Sequence, residues 1–362
     1  MGLVEKLRLP QNSRIIVISD IHANLPYFKA LLKKVGFCEK DSLIIDGDFL
    51  EKGEHSLETL QFIMELCRRG NTHVVCGNCD DWHLIFDPSW TWRAEEATMN
   101  YIIEKKRGLL WDMCNQSGMD PFDLESFSDA KEALRKKFKA EFEFLAALPY
   151  AIETEHYVFT HAGMLPDKPL SEHSRKELNR CDALLKKGWR FDKWVIVGHW
   201  PVVLYGEDKV CANPIIDREK KIISIDGGCV LKDDGQLNAL IIPFDGSEDF
   251  GFIAYDPFPT AKVLQDQKEG ERSYYIRWGD SDVKVLRRGE EFSRCRHVRT
   301  GYEMDILTKY LFSAEEYTNC NDSTDYVLPL KAGDVVSIIE ETSLGYLVKH
   351  KGTSGWYYGE LE

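Results

Sequence analysis

The N-terminal part of the chain alternates between short apolar runs and longer stretches with helical periodicity. Apolar, largely β-branched runs occupy residues 14–19, 43–45 and 73–76, and each is too short for a helix. Between them, residues 26–35 and 56–67 carry apolar side chains three or four positions apart, which predicts amphipathic helices. Strands that alternate with helices predict an α/β fold of layered sheets and helices.

Residues 84–145 interrupt this alternation. The stretch is rich in Trp, Phe, Lys and Glu, and its pattern is mostly helical. We therefore expect a helical cap inserted into the α/β core. Its tryptophans, Trp90, Trp92 and Trp111, either form the core of the cap or stack on a ligand base. Strand patterns resume at 157–160, 194–197, 221–225 and 239–243.

Beyond about residue 250 the pattern changes to short strands separated by Gly, Asp and Asn. Residues 251–320 predict either a linker or a small β-module. Within 321–362, the run from Leu330 to Ile338 has the pattern Leu-x-x-Gly-Asp-x-Val-x-Ile, and Gly355-Trp356 follows. This stretch resembles an SH3-like domain, which is a small β-barrel. The predicted bounds are therefore 1–250 for the α/β domain, 251–320 for the intermediate segment and 321–362 for the barrel.

Composition narrows the classes of function. The chain has 362 residues and a formal net charge of −14, which disfavours binding to nucleic acid or to anionic membranes. No apolar run approaches the length of a bilayer span, and Met1 to Pro10 is too short and polar for a signal peptide. We therefore expect a cytoplasmic protein whose ten cysteines are mostly free, buried thiols.

Polar residues follow the ends of five predicted strands. Parallel strands bring their carboxyl ends to one edge of a sheet, where ligand sites usually form. Carboxylate, carboxamide and imidazole groups together bind Mn, Fe, Zn or Co. Each residue alone is typical of an ordinary turn or core position, but the ordered set predicts a dinuclear metal site. The six candidate ligands are Asp20, His22, Asp48, Asn78, His161 and His199.

The motif order Asp-x-His, Gly-Asp, Gly-Asn, His-Ala-Gly and Gly-His resembles the calcineurin-like metallophosphoesterases. Within them it is similar to the branch of serine/threonine protein phosphatases and symmetrical diadenosine tetraphosphate hydrolases. Three further stretches support that branch. They are Gly47 to Gly53, Leu148-Pro149-Tyr150 ahead of His161, and 225–229 followed by 237–240. The resemblance covers about residues 13–245 and implies a central β-sandwich flanked by helices.

The resemblance also implies roles. Asp20 and His22 would hold one metal, Asp48 would bridge, and the second metal would take the other three ligands. Two divalent ions, with Mn²⁺ favoured and Fe, Zn or Co as alternatives, would polarise the phosphoryl group and supply a hydroxide for in-line attack. A phosphate-binding arginine is also expected, and Arg180 matches that block best, with Arg175 and Arg190 nearby.

One corner departs from the family. The protein phosphatases carry Gly-Asn-His followed by an acidic residue, and an Asp-Arg pair whose Asp orients this proton-donating His. This chain has Cys79-Asp80 after Asn78, and Glu51-Lys52 instead of Asp-Arg. Three outcomes are then open. The leaving group departs without a proton, or another group such as His83, Asp80 or a cap residue supplies the proton. Otherwise the enzyme hydrolyses its substrate slowly, or the fold serves mainly to bind. Together with Asp48, Asn78 and Arg180, we count Glu51 and Asp80 as candidate catalytic residues.

Three functions remain open from the sequence. The first, which the sequence favours, is a metal-dependent phosphatase of the serine/threonine protein phosphatase type or one that acts on phosphomonoesters broadly. In that case the SH3-like tail is a candidate to bind a peptide or protein partner. The second is a hydrolase of dinucleoside polyphosphates. The third is a metal-binding scaffold that acts through the tail, although six intact ligands argue against it.

Overall fold

The computed structural model describes residues 2–10, 12–87, 89, 91–124, 126–313 and 318–362, without the side chains of Trp92 and Asp129. Trp90 and the side chain of Trp92 thus lie outside the described residues. The chain divides into two compact units. The first comprises Met1–Trp200, Pro214–Leu231 and Gln236–Tyr255, and the second comprises Pro201–Asn213, Lys232–Gly235 and Asp256–Glu362. In the described part, no helix has the length and apolarity needed to cross a membrane.

The first twelve strands all belong to the first unit except β8. They are Val4–Lys6 (β1), Ile15–Ile18 (β2), Ser42–Asp46 (β3), Thr72–Val75 (β4), Ala151–Glu153 (β5), Tyr157–Phe159 (β6), Trp194–Val197 (β7), Val210–Cys211 (β8), Ile215–Asp217 (β9), Ile222–Ser224 (β10), Leu237–Ile242 (β11) and Gly251–Tyr255 (β12). Without β8, these strands form one sheet in the order β1-β5-β6-β7-β10-β9 and a second in the order β12-β11-β2-β3-β4.

The two sheets pack face to face. Ile15 and Val17 of β2 join a buried cluster with Phe159 and Ile196, which lie on the other sheet. Since successive side chains of a strand point to opposite faces, the remaining residues of β2 face the helices and join a second buried cluster there. Both faces of β2 are therefore covered, which explains its uninterrupted apolar run. The predicted β-sandwich flanked by helices is confirmed.

The described residues of the first unit form seven α-helices. They are Leu25–Val35 (α1), Ser56–Arg68 (α2), Trp92–Lys105 (α3), Leu109–Gln116 (α4), Phe127–Lys137 (α5), Lys139–Ala147 (α6) and Arg175–Asn179 (α7). Helix α1 begins where the Asn24 side chain accepts a hydrogen bond from the Tyr27 amide, and it ends at Gly36 in the left-handed conformation. Helices α3 to α6 form the helical insertion expected between the strands.

The order of parallel strands brings the candidate ligands to one edge. Strands β2, β3 and β4 pair in parallel, and β6 and β7 pair in parallel in the other sheet. The loops that follow these five strands carry all six candidate ligands, because each loop leaves the carboxyl end of its strand.

The described part of the second unit is mostly β-structure. Its strands besides β8 are Thr260–Lys262 (β13), Tyr275–Ile276 (β14), Asp282–Arg287 (β15), Phe292–His297 (β16), Glu303–Leu307 (β17), Leu311–Ser313 (β18), Thr318–Cys320 (β19), Ser323–Thr324 (β20), Val335–Glu341 (β21), Tyr346–His350 (β22) and Thr353–Tyr357 (β23). They form the sheets β13-β21-β22-β23-β8 and β17-β16-β15-β19-β18 and the pair β14-β20. A small β-module agrees with this arrangement, while its SH3-like character and the domain bounds stay predictions.

Candidate metal centre

The loops that carry the candidate ligands have an unusual backbone. Four of the six ligands have positive φ, with values of 52° at Asp20, 48° at His22, 48° at Asp48 and 64° at His199. A residue with a side chain seldom adopts this conformation, which costs about 1–3 kcal/mol each and persists where the surroundings hold it in place. Such outliers concentrate at functional sites, and here they coincide with the residues that the sequence pattern selected.

Two glycines let the loops approach each other closely. A Cβ atom on Gly77 would overlap the amide nitrogen and Oδ1 of Asp48. A Cβ atom on Gly198 would overlap Oδ2 of Asp20 and the Ser19 side chain. The glycines that precede Asn78 and His199 are therefore required by the packing of one ligand loop against the next.

Asp48 lies at the middle of the cluster. Ligand atoms of Asp20, Asp48 and His161 lie within 4.8 Å of one another, and those of His22, Asp48 and Cys79 do so as well. Nε2 of His161 is 3.2 Å from Oδ1 of Asp48, and Nε2 of His22 is 3.8 Å from Oδ1 of Asp20. A carboxylate shared by two such groups is the arrangement that a bridging ligand requires.

The carboxylates of the cluster differ in proton affinity. Burial, followed by the nearby charge of Asp226, raises the pKa of Asp20 well above its ordinary value. Burial acts in the same direction on Asp48, but the adjacent His161 imidazole outweighs it and lowers the pKa of Asp48. Burial also lowers the pKa of His22 to about 4, so its imidazole is neutral at pH 7 and can act as a ligand.

Two of the histidines are oriented by a second hydrogen bond. Nδ1 of His161 lies 3.0 Å from the carbonyl oxygen of Asp46, which leaves Nε2 facing Asp48. Nε2 of His199 lies 2.9 Å from Oδ1 of Asp182, which leaves Nδ1 facing Asn78. Metal-binding histidines usually donate their other N–H to a carboxylate or a carbonyl in this way, which fixes the tautomer.

The environment of His22 and Asn78 tests whether these residues fit a metal. Both ring nitrogens of His22 are buried and have no hydrogen-bond partner among the described residues. One end of the Asn78 carboxamide faces two acceptors, Nδ1 of His199 at 2.9 Å and the carbonyl oxygen of Asn179 at 3.3 Å. An amide nitrogen there would donate to both, whereas an amide oxygen would need a cation between itself and Nδ1. Separations near 3 Å are what ligands about 2.1 Å from a common ion have, so the residues fit divalent cations.

Asp80 and Glu51 lie beside the cluster but point elsewhere. Asp80 is buried, and its two oxygens accept hydrogen bonds from the amides of Leu50, at 3.0 Å, and Gly77, at 2.8 Å. It therefore ties the Asp48 loop to the Asn78 loop. The carboxylate of Glu51 turns to the helical insertion, where it accepts hydrogen bonds from the Tyr101 hydroxyl and the Leu109 amide.

Cys79 and His83 are the other candidates for proton donation. Burial and the charge of Asp48 raise the pKa of the Cys79 thiol well above its ordinary value, so the thiol keeps its proton. Its backbone amide donates to Oδ1 of Asp48 over 2.8 Å. His83 lies on the short 3₁₀ helix Trp82–Phe86, where burial and the charge of Arg175 lower its pKa.

Two arginines lie close to the Asn78 loop. Burial raises the pKa of Asp81 to about 6, although the guanidinium groups of Arg175 and Arg180 act in the opposite direction. Both arginines are exposed, and Arg180 follows directly after Asn179 at the end of α7. Arg190, the third arginine considered, forms an ion pair with Glu219. Arg175 and Arg180 are thus the two of these arginines whose charge acts on Asp81, three positions after Asn78.

Sequence reasoning missed three residues of this site. Asp46 contributes only its backbone carbonyl, which no side-chain pattern reveals. Asp182 stands two positions after Arg180, in a block where the family resemblance predicts only an arginine. Asp226 stands in the late Ile-Asp-Gly-Gly-Cys block, and its charge acts on Asp20. The last two are acidic residues in stretches that carry the family resemblance.

The family model of the calcineurin-like phosphoesterases matches residues 13–226. This match covers more than half of the chain, so the chain belongs to the calcineurin-like metallophosphoesterases. It is therefore a hydrolase of phosphoesters from a family that works with divalent metal ions.

The chain is also similar to individual proteins. The chain is 26% identical over 259 residues to the asymmetrical bis(5'-nucleosyl)-tetraphosphatase PrpE of Geobacillus sp. (strain WCH70), which covers 64% of this chain and 91% of that protein. It is 27% identical over 167 residues to the symmetrical bis(5'-nucleosyl)-tetraphosphatase of Vibrio parahaemolyticus, which covers 45% and 50%. A solved protein serine/threonine phosphatase from Saccharomyces cerevisiae aligns with a TM-score of 0.46 at 12% identity, over 71% of this chain and 85% of that one.

Proposed function

We propose that this protein hydrolyses phosphoric anhydrides of the dinucleoside polyphosphate class. The observation that carries the proposal is the placement of the Glu51 carboxylate. It bonds to the insertion through the Tyr101 hydroxyl and the Leu109 amide, both over 2.8 Å, and not to a proton donor beside the metal cluster. The neighbouring Cys79 is a thiol with a raised pKa. A leaving group that is stable as an anion suits a centre built in this way.

The choice between ester and anhydride follows from the basicity of the leaving group. A positioned general acid accelerates the departure of a poor leaving group by about 10²–10⁴-fold. An alkoxide from serine needs that help, whereas a nucleotide phosphate departs as a weakly basic anion. Sequence relatives support the same choice, because those named above are bis(5'-nucleosyl)-tetraphosphatases.

In this proposal each residue of the cluster has a role. Asp20 and His22 bind one cation, Asp48 is shared, and Asn78, His161 and His199 bind the other. When bound, the cations supply a Lewis acid for the phosphoryl oxygens and an activated water. Arg180 and Arg175 bind the phosphate oxygens. Guanidinium groups suit this task because their planar forks match phosphate geometry.

Mn²⁺ is the cation that we propose, with Fe, Zn and Co as alternatives. The ligand set mixes carboxylate, carboxamide and imidazole, which all four metals accept. A cytoplasmic location, where Mn²⁺ and nucleotides meet, remains part of the proposal.

Phosphoprotein or broad phosphomonoester hydrolysis is the second candidate. Arg175 and Arg180 are both exposed, which leaves room for a phosphorylated side chain on a larger substrate. A partner-binding role of the SH3-like tail would strengthen this candidate.

One comparison of substrates tests the proposal. The Mn²⁺-loaded protein is assayed with diadenosine tetraphosphate, a phosphoserine peptide and p-nitrophenyl phosphate. We expect the largest kcat/KM for the dinucleotide, a lower value for the aryl ester and the lowest for the peptide. Asp48→Asn should abolish all three, and Asp167→Asn, an exposed carboxylate with the same change of charge, should alter none. A preference for the phosphopeptide would overturn the proposal in favour of the second candidate.

A further inference from the structure

The loop that follows Asp48 is held in a strained conformation. Besides Asp48 itself, Glu51 and Lys52 have positive φ, with values of 64° and 68°. Each of these residues would relax to a commoner conformation unless neighbouring groups held it. The stability of this loop therefore decides how well Asp48 keeps its place between the two groups of ligand atoms.

Glu51 anchors the loop to the helical insertion. Its side chain is buried, with 3% of the residue exposed. One carboxylate oxygen accepts from the Leu109 amide at the start of α4, and the other accepts from the Tyr101 hydroxyl of α3, each over 2.8 Å. A carboxylate at the first amide of a helix also meets the positive end of the helix dipole.

Helix α4 in turn contacts the helix that follows the Asp48 loop. Oδ2 of Asp112, on α4, accepts a hydrogen bond from the Leu57 amide over 3.1 Å, in the first turn of α2. The Ser56 hydroxyl, at the start of α2, accepts from the Glu51 amide over 3.1 Å. The loop thus caps a helix of the insertion, and the insertion caps the helix that follows the loop. Neither segment can shift without breaking hydrogen bonds on both sides.

We propose that Glu51 is a positioning residue of the metal centre, because it makes the helical insertion part of the support that holds the Asp48 loop. Glu51 does not touch the cation or the substrate. It acts through the backbone of residues 48–52, and its anchor points lie on α3 and α4. The insertion is then required for metal binding whichever substrate the enzyme hydrolyses.

The competing explanation is that Glu51 only holds the insertion in place. In that case, removal of its hydrogen bonds would loosen the insertion and lower the thermal stability, while Asp48 and the affinity for metal stayed unchanged. The two explanations therefore differ in metal affinity, which is measured without any turnover.

The test is a double-mutant cycle on Mn²⁺ binding to the full chain, measured by calorimetry. Glu51→Gln removes the charge of the anchor, and Tyr101→Phe removes one donor on the insertion side, away from the ligands. Changes in groups that orient metal ligands typically weaken metal binding by about 10–100-fold. We expect about tenfold weaker binding for Glu51→Gln and about threefold for Tyr101→Phe. The double variant should be less affected than the product of the two, because both remove the same contact.

Glu104→Gln is the matched control, since Glu104 is exposed on the same helix as Tyr101 and loses the same charge. It should bind Mn²⁺ like the wild type. If both Glu51→Gln and Tyr101→Phe bind Mn²⁺ with wild-type affinity while their thermal midpoints fall, the proposal is wrong and Glu51 is only structural. Tyr101→Phe keeps the test decisive if Glu51→Gln does not fold, because it removes one hydroxyl and leaves the buried carboxylate bonded to the Leu109 amide.

Discussion

Replacement of Asp182 by alanine should weaken the binding of one metal ion and leave the fold unchanged. Oδ1 of Asp182 lies 2.9 Å from Nε2 of His199, and the Asp182 side chain is 65% exposed. The hydrogen bond holds the imidazole as the tautomer whose Nδ1 faces Asn78, and the carboxylate makes Nδ1 more basic. Without it, the ring is free to place its proton on Nδ1, which then cannot bind a cation.

The expected size of the effect follows from the exposure of Asp182. Loss of a partner of this kind weakens metal binding by about 10–100-fold. Since water can replace an exposed carboxylate as acceptor, we expect the lower limit, about tenfold, which corresponds to about 1.4 kcal/mol. Folding stability without metal should change by less than about 1 kcal/mol, because an exposed ion pair contributes little.

Calorimetric titration with Mn²⁺ measures the effect. In Asp182→Ala one of two binding events should weaken and the other should keep its affinity, because His199 serves only one metal position. Asp182→Asn, whose carboxamide oxygen still accepts the hydrogen bond, should recover part of the loss. Equal affinities of wild type and Asp182→Ala in both events would refute the role of His199 as a ligand oriented by Asp182.

Three further predictions follow from the geometry. Cys79→His should raise the turnover of alkyl phosphate monoesters by about tenfold and change dinucleotide hydrolysis little. The gain is below the upper range of general acid catalysis because Glu51 is bonded to the insertion and cannot orient the new His. An equal gain on both substrates would contradict the leaving-group argument. Gly198→Ala should abolish high-affinity Mn²⁺ binding, since its methyl group would overlap the Asp20 carboxylate; wild-type affinity would show that the loop moves aside freely. Burial raises the pKa of Asp41, but hydrogen bonds from Arg14 and the Cys38 amide outweigh this effect, so the pKa lies below its ordinary value. The ionised carboxylate therefore stabilises the fold above the unfolded pKa, which is near 4. This contribution is lost as the pH falls through the folded pKa. The stability advantage of wild type over Asp41→Asn in urea unfolding should therefore shrink from pH 7 to pH 3, and a constant difference would contradict it.

The sandwich core was predictable because its strands bury both faces. The run Ile15 to Ile18 has no polar residue, and such a run between turn residues fits few structures other than a covered strand. The polar residue after each strand then marked the edge of the sheet where ligands meet. Asp20 and His22 gained meaning only from the ordered set, since a single Asp-x-His is common in turns.

The direction of side chains was not predictable in the same way. Glu51 aligns with the family Asp that orients the proton-donating His, but the Glu51 carboxylate, which is one methylene longer, meets donors on α3 and α4 and turns toward the insertion. That outcome depends on the packing of residues about 50 positions away in the sequence, which no local pattern contains. The pairing of Asp182 with His199 and of the Asp46 carbonyl with His161 depends on tertiary structure for the same reason.

The second unit was predictable as β-structure from its spacing of turn residues, but not in its pairing. Strand β8, at Val210–Cys211, pairs with β23 near the C-terminus, so one edge of that sheet comes from a segment more than a hundred residues earlier. Two residues carry too little periodicity to predict a strand. The order of strands in a sheet is fixed by long-range packing, which a short apolar run does not encode.

The number of bound cations tests the central claim most directly. The claim is that six side chains bind two divalent ions and share Asp48. Mn²⁺ bound to the purified full chain is counted by equilibrium dialysis with elemental analysis, in wild type and in Asp48→Asn. The account predicts two tightly bound Mn²⁺ per wild-type chain and at most one in Asp48→Asn, with unchanged counts in Asp167→Asn. A single Mn²⁺ in the wild type, or two in Asp48→Asn with unchanged affinity, would contradict a dinuclear centre bridged by Asp48.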